Sequence, residues 1–367
     1  MVQLGVFLPN GKNGSLISAN SPQYSPTWEL NKEVTVLAEE AGFEIALSMV
    51  KFRGFGGKTG YWDEALESFT LTAGLAQATR SIQLIASVGV LAVNPAFAAR
   101  MATTIDAMAP GRFGLNIVSG WQMAEYDQMG AWPGQSHYER RYEYCGEYVA
   151  ILKELWETGA SDRRSDFFAM KDCRLGPLPS GRIPIVCAGQ SAAGVRFAAE
   201  YGDWNFCSGT EINDIETFQE PVRQLRAENE RLGRNVKSAV LVTVIMGRTD
   251  AEAQAKWQSY VDGTDLEAIG WRNEQSTKDV RTVVDPRSHS GRARSGRPAL
   301  PNGMSRIIGS HGTVARELDR IADVEGVGGI MLAFDDYIGG MKDFARCVQP
   351  LMRSRRAATP SQLEPTA

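Results

Sequence analysis

Short apolar runs recur along this 367-residue chain, separated by helix-length amphipathic segments, and that alternation restricts the fold more than any single motif. The runs Val2–Leu8, Glu44–Val50, Ile82–Val90, Arg112–Val118, Ile183–Ala188, Asp203–Cys207, Ala239–Met246 and Gly329–Phe334 read as strands. Helical spacing fills the intervals: a helix capped by Thr27 and ending near Gly42, then Asp63–Thr79, Pro95–Met108, Arg141–Glu157, Ala192–Tyr201, Ile215–Leu232 and Ala251–Val261, with a closing helix over Phe344–Met352. Eight strands alternating with helices predict an α/β fold, a (β/α)8 TIM barrel rather than a doubly wound open sheet. One domain is expected over residues 1–353. Two segments break the pattern. The stretch Asp262–Ile307 is polar and basic, includes RSHSGRARSGRP, and reads as a mobile lid or an insertion before the last strand. Residues 354–367 read as a disordered tail.

A net charge of −4 and a pI near 5.6 argue against a nucleic-acid partner, because phosphate backbones call for a basic face. A small-molecule ligand is the expectation. The five cysteines are widely spaced without a CxxC pair, so neither a disulfide framework nor a zinc site is indicated. The N-terminus enters a strand at once and no window is long and apolar enough to span a bilayer, so a cytoplasmic protein with no membrane partner is expected.

Ligands of a parallel barrel are held by loops at the strand C-termini. The stretch Gly111–Tyr142 is such a place: an apolar strand runs into a segment dense in Trp, Tyr, Arg, acidic groups and one His. On its strand, Asn116 is a polar group among apolar ones, so its amide either meets a ligand or satisfies neighbouring backbone. Ser191 follows Gly189-Gln190 at a strand end and opens a helix, which makes it either a plain N-cap or part of an anion site. Arg141-Tyr142 precede an amphipathic helix and either reach the same anion or face solvent. Lys51, just past the second strand, lies either at the barrel mouth or on the surface.

His137, His289 and His311 form no HxH, HxxxH or HExxH pattern, so no metal centre is expected. There is no GxSxG, no P-loop, and no GxGxxG after the first strand. Without those devices, chemistry carried by a bound cofactor is the expectation.

Several strings point further: GVFLPNGKNGSLIS, FEIALSMVKFRGFGGKT, WDEALESFTLTAGLA, GRFGLNIVSGWQMAEYDQMGAWPG, RRYEY, VCAGQSAAG, WNFCSG and MLAFDDYIGGM. From Val2 to about Met352, apart from the insertion, they resemble the bacterial luciferase-like flavin monooxygenases, and within them the pyrimidine monooxygenases of RutA type. The resemblance implies reduced FMN supplied by a separate NAD(P)H-dependent flavin reductase, dioxygen as co-substrate, and oxidative opening of a cyclic amide such as uracil. A homo-oligomer is also expected. Carried over residue by residue, it assigns Val50, Lys51, Asn116, Glu125, Arg141, Tyr142 and Ser191 to FMN. Ser191, Arg141 and Tyr142 would take the phosphate. Trp121 and Phe206 would hold the flat ring of the substrate, and Asn116 would serve substrate as well as flavin. Ser87 stands where the family has a threonine hydroxyl near the oxygen-binding region, so Ser87 and Asn116 are the candidate catalytic pair.

Three departures bear on substrate. Val90 occupies a Thr position, Asn94 a Pro position, and Ser208 a Phe position beside the aromatic wall, so Val90 and Ser208 are expected to reshape the substrate pocket. The alternatives are the same chemistry on an aromatic sulfone, a haloaromatic or a biosynthetic intermediate, or a flavin-binding barrel without catalysis. By the same carry-over His137 loses its chemical role and is expected to be a surface or packing residue.

Overall fold

The computed structural model describes residues 1–209, 213, 216–279, 299–301 and 304–355. Eight parallel strands close into a ring: β1 (Gln3–Phe7), β2 (Ile45–Leu47), β3 (Gln83–Gly89), β4 (Phe113–Val118), β7 (Ile185–Cys187), β8 (Trp204–Cys207), β9 (Lys237–Gly247) and β11 (Val327–Phe334). Closure comes from β11, which pairs with β1 on one side and β9 on the other, and from β8, which pairs with the first residues of β9. The ring predicted from the alternation is present with these eight strands.

Period-two alternation divides each strand between two environments. In β3, Leu84, Ala86 and Val88 face outward into the layer between strands and helices, whereas Ile85 joins Ile45, Leu47, Val186 and Met331 inside the barrel. The interior fills partly because two strands carry glycine there. A Cβ at Gly5 would stand 2.7 Å from Met331 Sδ, and one at Gly114 would stand 2.5 Å from Ile85 Cδ1. These glycines give Met331 and Ile85 their space.

The helices start where short polar side chains cap them. Thr27 caps α1 (Trp28–Glu40), and Asn94 caps α3 (Pro95–Met108) by accepting from the Ala96 N–H at 2.9 Å. Glu67 caps α2 (Ser68–Ala78) with both carboxylate oxygens, so that helix begins five residues later than its apolar spacing suggests. The short α4 (Met123–Asp127) follows β4, and α5 (His137–Thr158) begins one turn before the predicted Arg141. A small antiparallel ribbon, β5 (Ala160–Ser161) with β6 (Cys173–Arg174), precedes β7, and α6 (Ala192–Tyr201) and α7 (Glu216–Leu232) flank β8.

The region read as an aperiodic excursion holds regular structure at both ends. After α8 (Asp250–Asp262), Asp265 caps α9 (Leu266–Thr277), and β10 (Ser305–Ser310) adds to the outer half of β9, past the end of β8. Residues 280–298 and 302–303 of that excursion, and the tail from 356, lie outside the described residues. Among the described residues strand β10 pairs with β9 alone, so it stands outside the ring. It leads into α10 (His311–Ala322). After β11 comes α11 (Tyr337–Asp343), and the predicted closing helix is a π-helical turn over Phe344–Val348 followed by short 3-10 turns. Pro350 explains the break, since its ring removes a backbone donor.

Candidate active site

The residues singled out from the sequence converge at the C-terminal mouth of the ring, around a cavity of about 300 Å³. Val50 and Lys51 come from the loop after β2, Ser87 from β3, Asn116 from β4, and Trp121 and Glu125 from the segment after it. Arg141 and Tyr142 enter from α5, Ser191 from the N-cap of α6, Phe206 from β8 and Ser208 from just past it. Eleven of the twelve candidates therefore line one space.

Val90 does not. It has the parity of Val88, so it points into the strand–helix layer, is 1% exposed and packs in the outer core. The Thr-to-Val departure does not reshape the cavity wall. Asn94 is likewise only the cap of α3.

On the interior face of β3 and β4, Asn116 Nδ2 donates to Ser87 Oγ at 2.9 Å, and Ser87 Oγ donates to the Ser48 carbonyl at 2.7 Å. The hydroxyl has one proton and it is already used. Ser87 therefore orients Asn116, with its own proton turned toward the Ser48 carbonyl. The carbonyl oxygen of Asn116 is buried and has no partner among the described residues.

Lys51 is not a surface lysine. Its ammonium lies 3.0 Å from Glu125 Oε1 and donates to Gln122 Oε1 at 2.7 Å, with the Lys51 and Glu125 side chains only 4% and 5% exposed. It also sits over the rings of Phe55, Trp62 and Trp121 at 5.0–5.5 Å. Burial lowers its pKa; Glu125 opposes that shift and Arg272 adds to it. Glu125 accepts from the Phe52 N–H at 2.9 Å, which fixes the loop after β2 against α4. Phe55 joins Tyr61, Trp62, Trp121 and Trp271 in an aromatic cluster here.

Elsewhere on the wall, Arg141 Nη2 pairs with Asp279 Oδ2 at 2.9 Å, both nearly buried, while Arg141 Nε has no partner among the described residues. The Arg141 guanidinium stacks over the Tyr142 ring, 5.2 Å from its centroid. Gly189 and Gly194 bring the end of β7 and the first turn of α6 into contact. A Cβ on Gly194 would stand 2.6 Å from Tyr142 Oη and 2.7 Å from Gly189 Cα. Ser191 Oγ caps this turn, accepting from the Gly194 N–H at 3.3 Å. A cation, a helix N-terminus and a cradle without side chains together suit an anion.

His137 is neither exposed nor idle. It is 5% exposed, and its Nε2 lies 2.7 Å from the carbonyl of Ser119, a residue of the cavity wall. Burial lowers its pKa, against the hydrogen bond to Ser119.

Sequence reasoning missed Ser276, Asp279 and Met304, which complete the wall from the excursion, and Gln122. Gln122 had a usable signal, since it follows Trp121 directly in the loop already marked. Asp279 had none: it is one acid in a polar stretch, and only the fold brings it to Arg141. Among the described residues no helix is long and apolar enough to cross a membrane.

Comparison with known proteins places the chain in a family and agrees with the fold. Residues 2–330 match the profile of the family described as luciferase-like monooxygenase. The chain is 49% identical to a pyrimidine monooxygenase RutA of Methylorubrum extorquens, over 100% of this chain and 97% of that protein. It is 48% identical to the RutA protein of Pseudomonas syringae pv. syringae, over 97% and 98%. Among solved structures, a riboflavin lyase (RcaE) with modified FMN and riboflavin superposes with a TM-score of 0.80 at 18% identity, over 97% of this chain and 92% of that one. The long-chain alkane monooxygenase LadA gives 0.78 at 21% identity, over 95% and 90%. At those identities the two structures speak for the fold.

Proposed function

The chain belongs to the luciferase-like monooxygenase family, and from that premise we propose that this flavin-dependent monooxygenase uses reduced FMN and dioxygen to open a uracil-like pyrimidine or related cyclic amide. A separate NAD(P)H-dependent reductase supplies the reduced cofactor. The observation that carries the reading is the polarity of the cavity. Its wall brings together Arg141, whose Nε has no partner among the described residues, the Ser191 helix start with the Gly189–Gly194 cradle, and Asn116, whose carbonyl oxygen likewise has no partner among the described residues, with the rings of Trp121 and Phe206.

These residues fit FMN. Arg141, Tyr142 and Ser191 would hold its phosphate. Asn116, Glu125 and the Val50-Lys51 segment would meet the ring and ribityl part. When bound, reduced flavin supplies the two electrons with which dioxygen is activated. Asn116, aimed by Ser87, offers a fixed amide to a ring N–H or carbonyl without reorganising. Trp121 and Phe206 flank a flat substrate, and the aromatic cluster behind Lys51 keeps water out. Lys51, held at the cavity by Glu125 and Gln122, provides positive potential toward negative charge developing on a ring oxygen.

The similarity to curated pyrimidine monooxygenases favours uracil or thymine over the aromatic sulfones and haloaromatics. Ser208 favours a somewhat larger ring as the second reading, because its small side chain lines the cavity and is held by the Ser305 N–H at 2.9 Å. The test is oxygen-dependent turnover of uracil, thymine and bulkier cyclic amides with FMN, NADH and a flavin reductase, read by product mass. Incorporation of one oxygen atom with ring opening is the expected result. A protein that binds no FMN would overturn the whole reading, and turnover confined to non-pyrimidines would overturn the narrower one.

A further inference from the structure

Away from the barrel mouth, three potential metal ligands meet where two helical elements touch. His311 is the first residue of α10, directly after β10, and its Nε2 lies 2.6 Å from Asp343 Oδ2 at the end of α11. Cys347 is a free, half-buried thiol in the π-helical turn that follows, and the three donor atoms lie within 4.8 Å of one another. We propose that His311, Asp343 and Cys347 bind one borderline-soft divalent cation, Zn²⁺ by the chemistry of its ligands, with water completing the coordination.

The donor set argues for that class. Imidazole nitrogen, carboxylate oxygen and thiolate sulfur together are ligands of zinc, whereas calcium and magnesium take oxygen alone. A thiolate and a carboxylate neutralise a dication, so the loaded site carries no net charge. The frame is already built: Phe344 and Val348, on either side of Cys347 in the same turn, are fully buried. Asp343 and His311 are about one-third and one-quarter exposed, which leaves a route for the ion and a place for water. Bond lengths of about 2.0–2.3 Å put ligand atoms roughly 3.3–3.7 Å apart. The ion would thus replace the shared proton and part His311 from Asp343 by about 1 Å. One group opposes it. Arg346 Nη2 lies 3.5 Å from Asp343 Oδ1, but its side chain is 80% exposed and turns to solvent without leaving a buried charge.

The site uses no residue of the cavity, so it stands or falls apart from the flavin reading. Its test is titration of the full-length, metal-stripped protein with Zn²⁺ by calorimetry, and with Co²⁺ by absorption. One equivalent of Zn²⁺ should bind with release of protons, and Co²⁺ should give a near-ultraviolet thiolate charge-transfer band. His311→Gln and Cys347→Ser should each weaken Zn²⁺ binding by about tenfold or more, and Cys347→Ser should erase the Co²⁺ band. Melting temperature should rise with Zn²⁺ in the parent and not in the variants. Absence of the Co²⁺ band in the unsubstituted protein overturns the proposal without reference to any variant. So does Zn²⁺ uptake that survives both substitutions.

Discussion

The cavity contains two buried ion pairs, and they differ in what they leave over. Lys51–Glu125 is closed: the ammonium also meets Gln122 and three aromatic rings, and the carboxylate also takes the Phe52 N–H. Arg141–Asp279 is open: Nη2 is paired, Nε has no partner among the described residues, and the guanidinium lies over Tyr142, whose hydroxyl borders the glycine-lined helix start. The first pair fixes two loops against each other, while the second keeps capacity for an anion. Both pairs line the cavity, but one has its polar contacts filled by the protein and the other leaves a donor over.

Breaking the closed pair should have the largest effect on stability. Glu125→Ala leaves Lys51 buried without its counter-charge, which costs about 3–5 kcal/mol and should appear as a large drop in the denaturant midpoint. An unchanged midpoint would mean that the ammonium reaches water. At the open end, Gly194→Ala places a methyl against Tyr142 and Gly189. The forced shift should cost about 1–3 kcal/mol, read largely as weaker FMN binding. Equal loss of FMN and riboflavin affinity would show that the strain spreads beyond the phosphate end. Between the two ends, Ser87→Ala removes the acceptor that aims Asn116, and kcat should fall by about tenfold with KM for the ring substrate little altered. A rise in KM alone would reassign the pair to ground-state binding.

The smallest effect concerns pH. Because burial depresses the pKa of His137 in the folded protein below its ordinary 6.5, folding excludes a proton. The stability it contributes is fully present above pH 6.5 and is lost as pH falls through the folded value. The melting temperature should therefore decline more steeply with acidification in the parent than in His137→Gln, and parallel curves would contradict the assignment.

How much of this was legible depends on whether a residue's role is local. Ring strands announce themselves by apolar runs, and Asn116, Ser191 and Trp121 stood out because each sits at or near a strand end among residues unlike it. Arg141 and Ser191, far apart in sequence, line the same cavity. Asp279, Ser276 and Met304 were invisible because their place is set by how the chain folds back from β9, which no short pattern encodes. Ser87 was seen as a hydroxyl but not as a hydroxyl already committed to the Ser48 carbonyl, and Val90 was misplaced for want of the strand's parity. Lys51 shows a limit of general preference: a lone lysine is ordinarily exposed, and only tertiary contacts with Glu125 and Gln122 bury it.

The open-pair account is tested most directly by comparing FMN with riboflavin, which lacks the phosphate, in fluorescence titrations of the parent and Arg141→Gln. One equivalent of FMN should bind at least about tenfold more tightly than riboflavin, as a charge-assisted contact of about 1.5–3 kcal/mol requires, and Arg141→Gln should abolish that preference. Equal affinity for the two flavins in the parent, or a preference for FMN that survives the substitution, would contradict it.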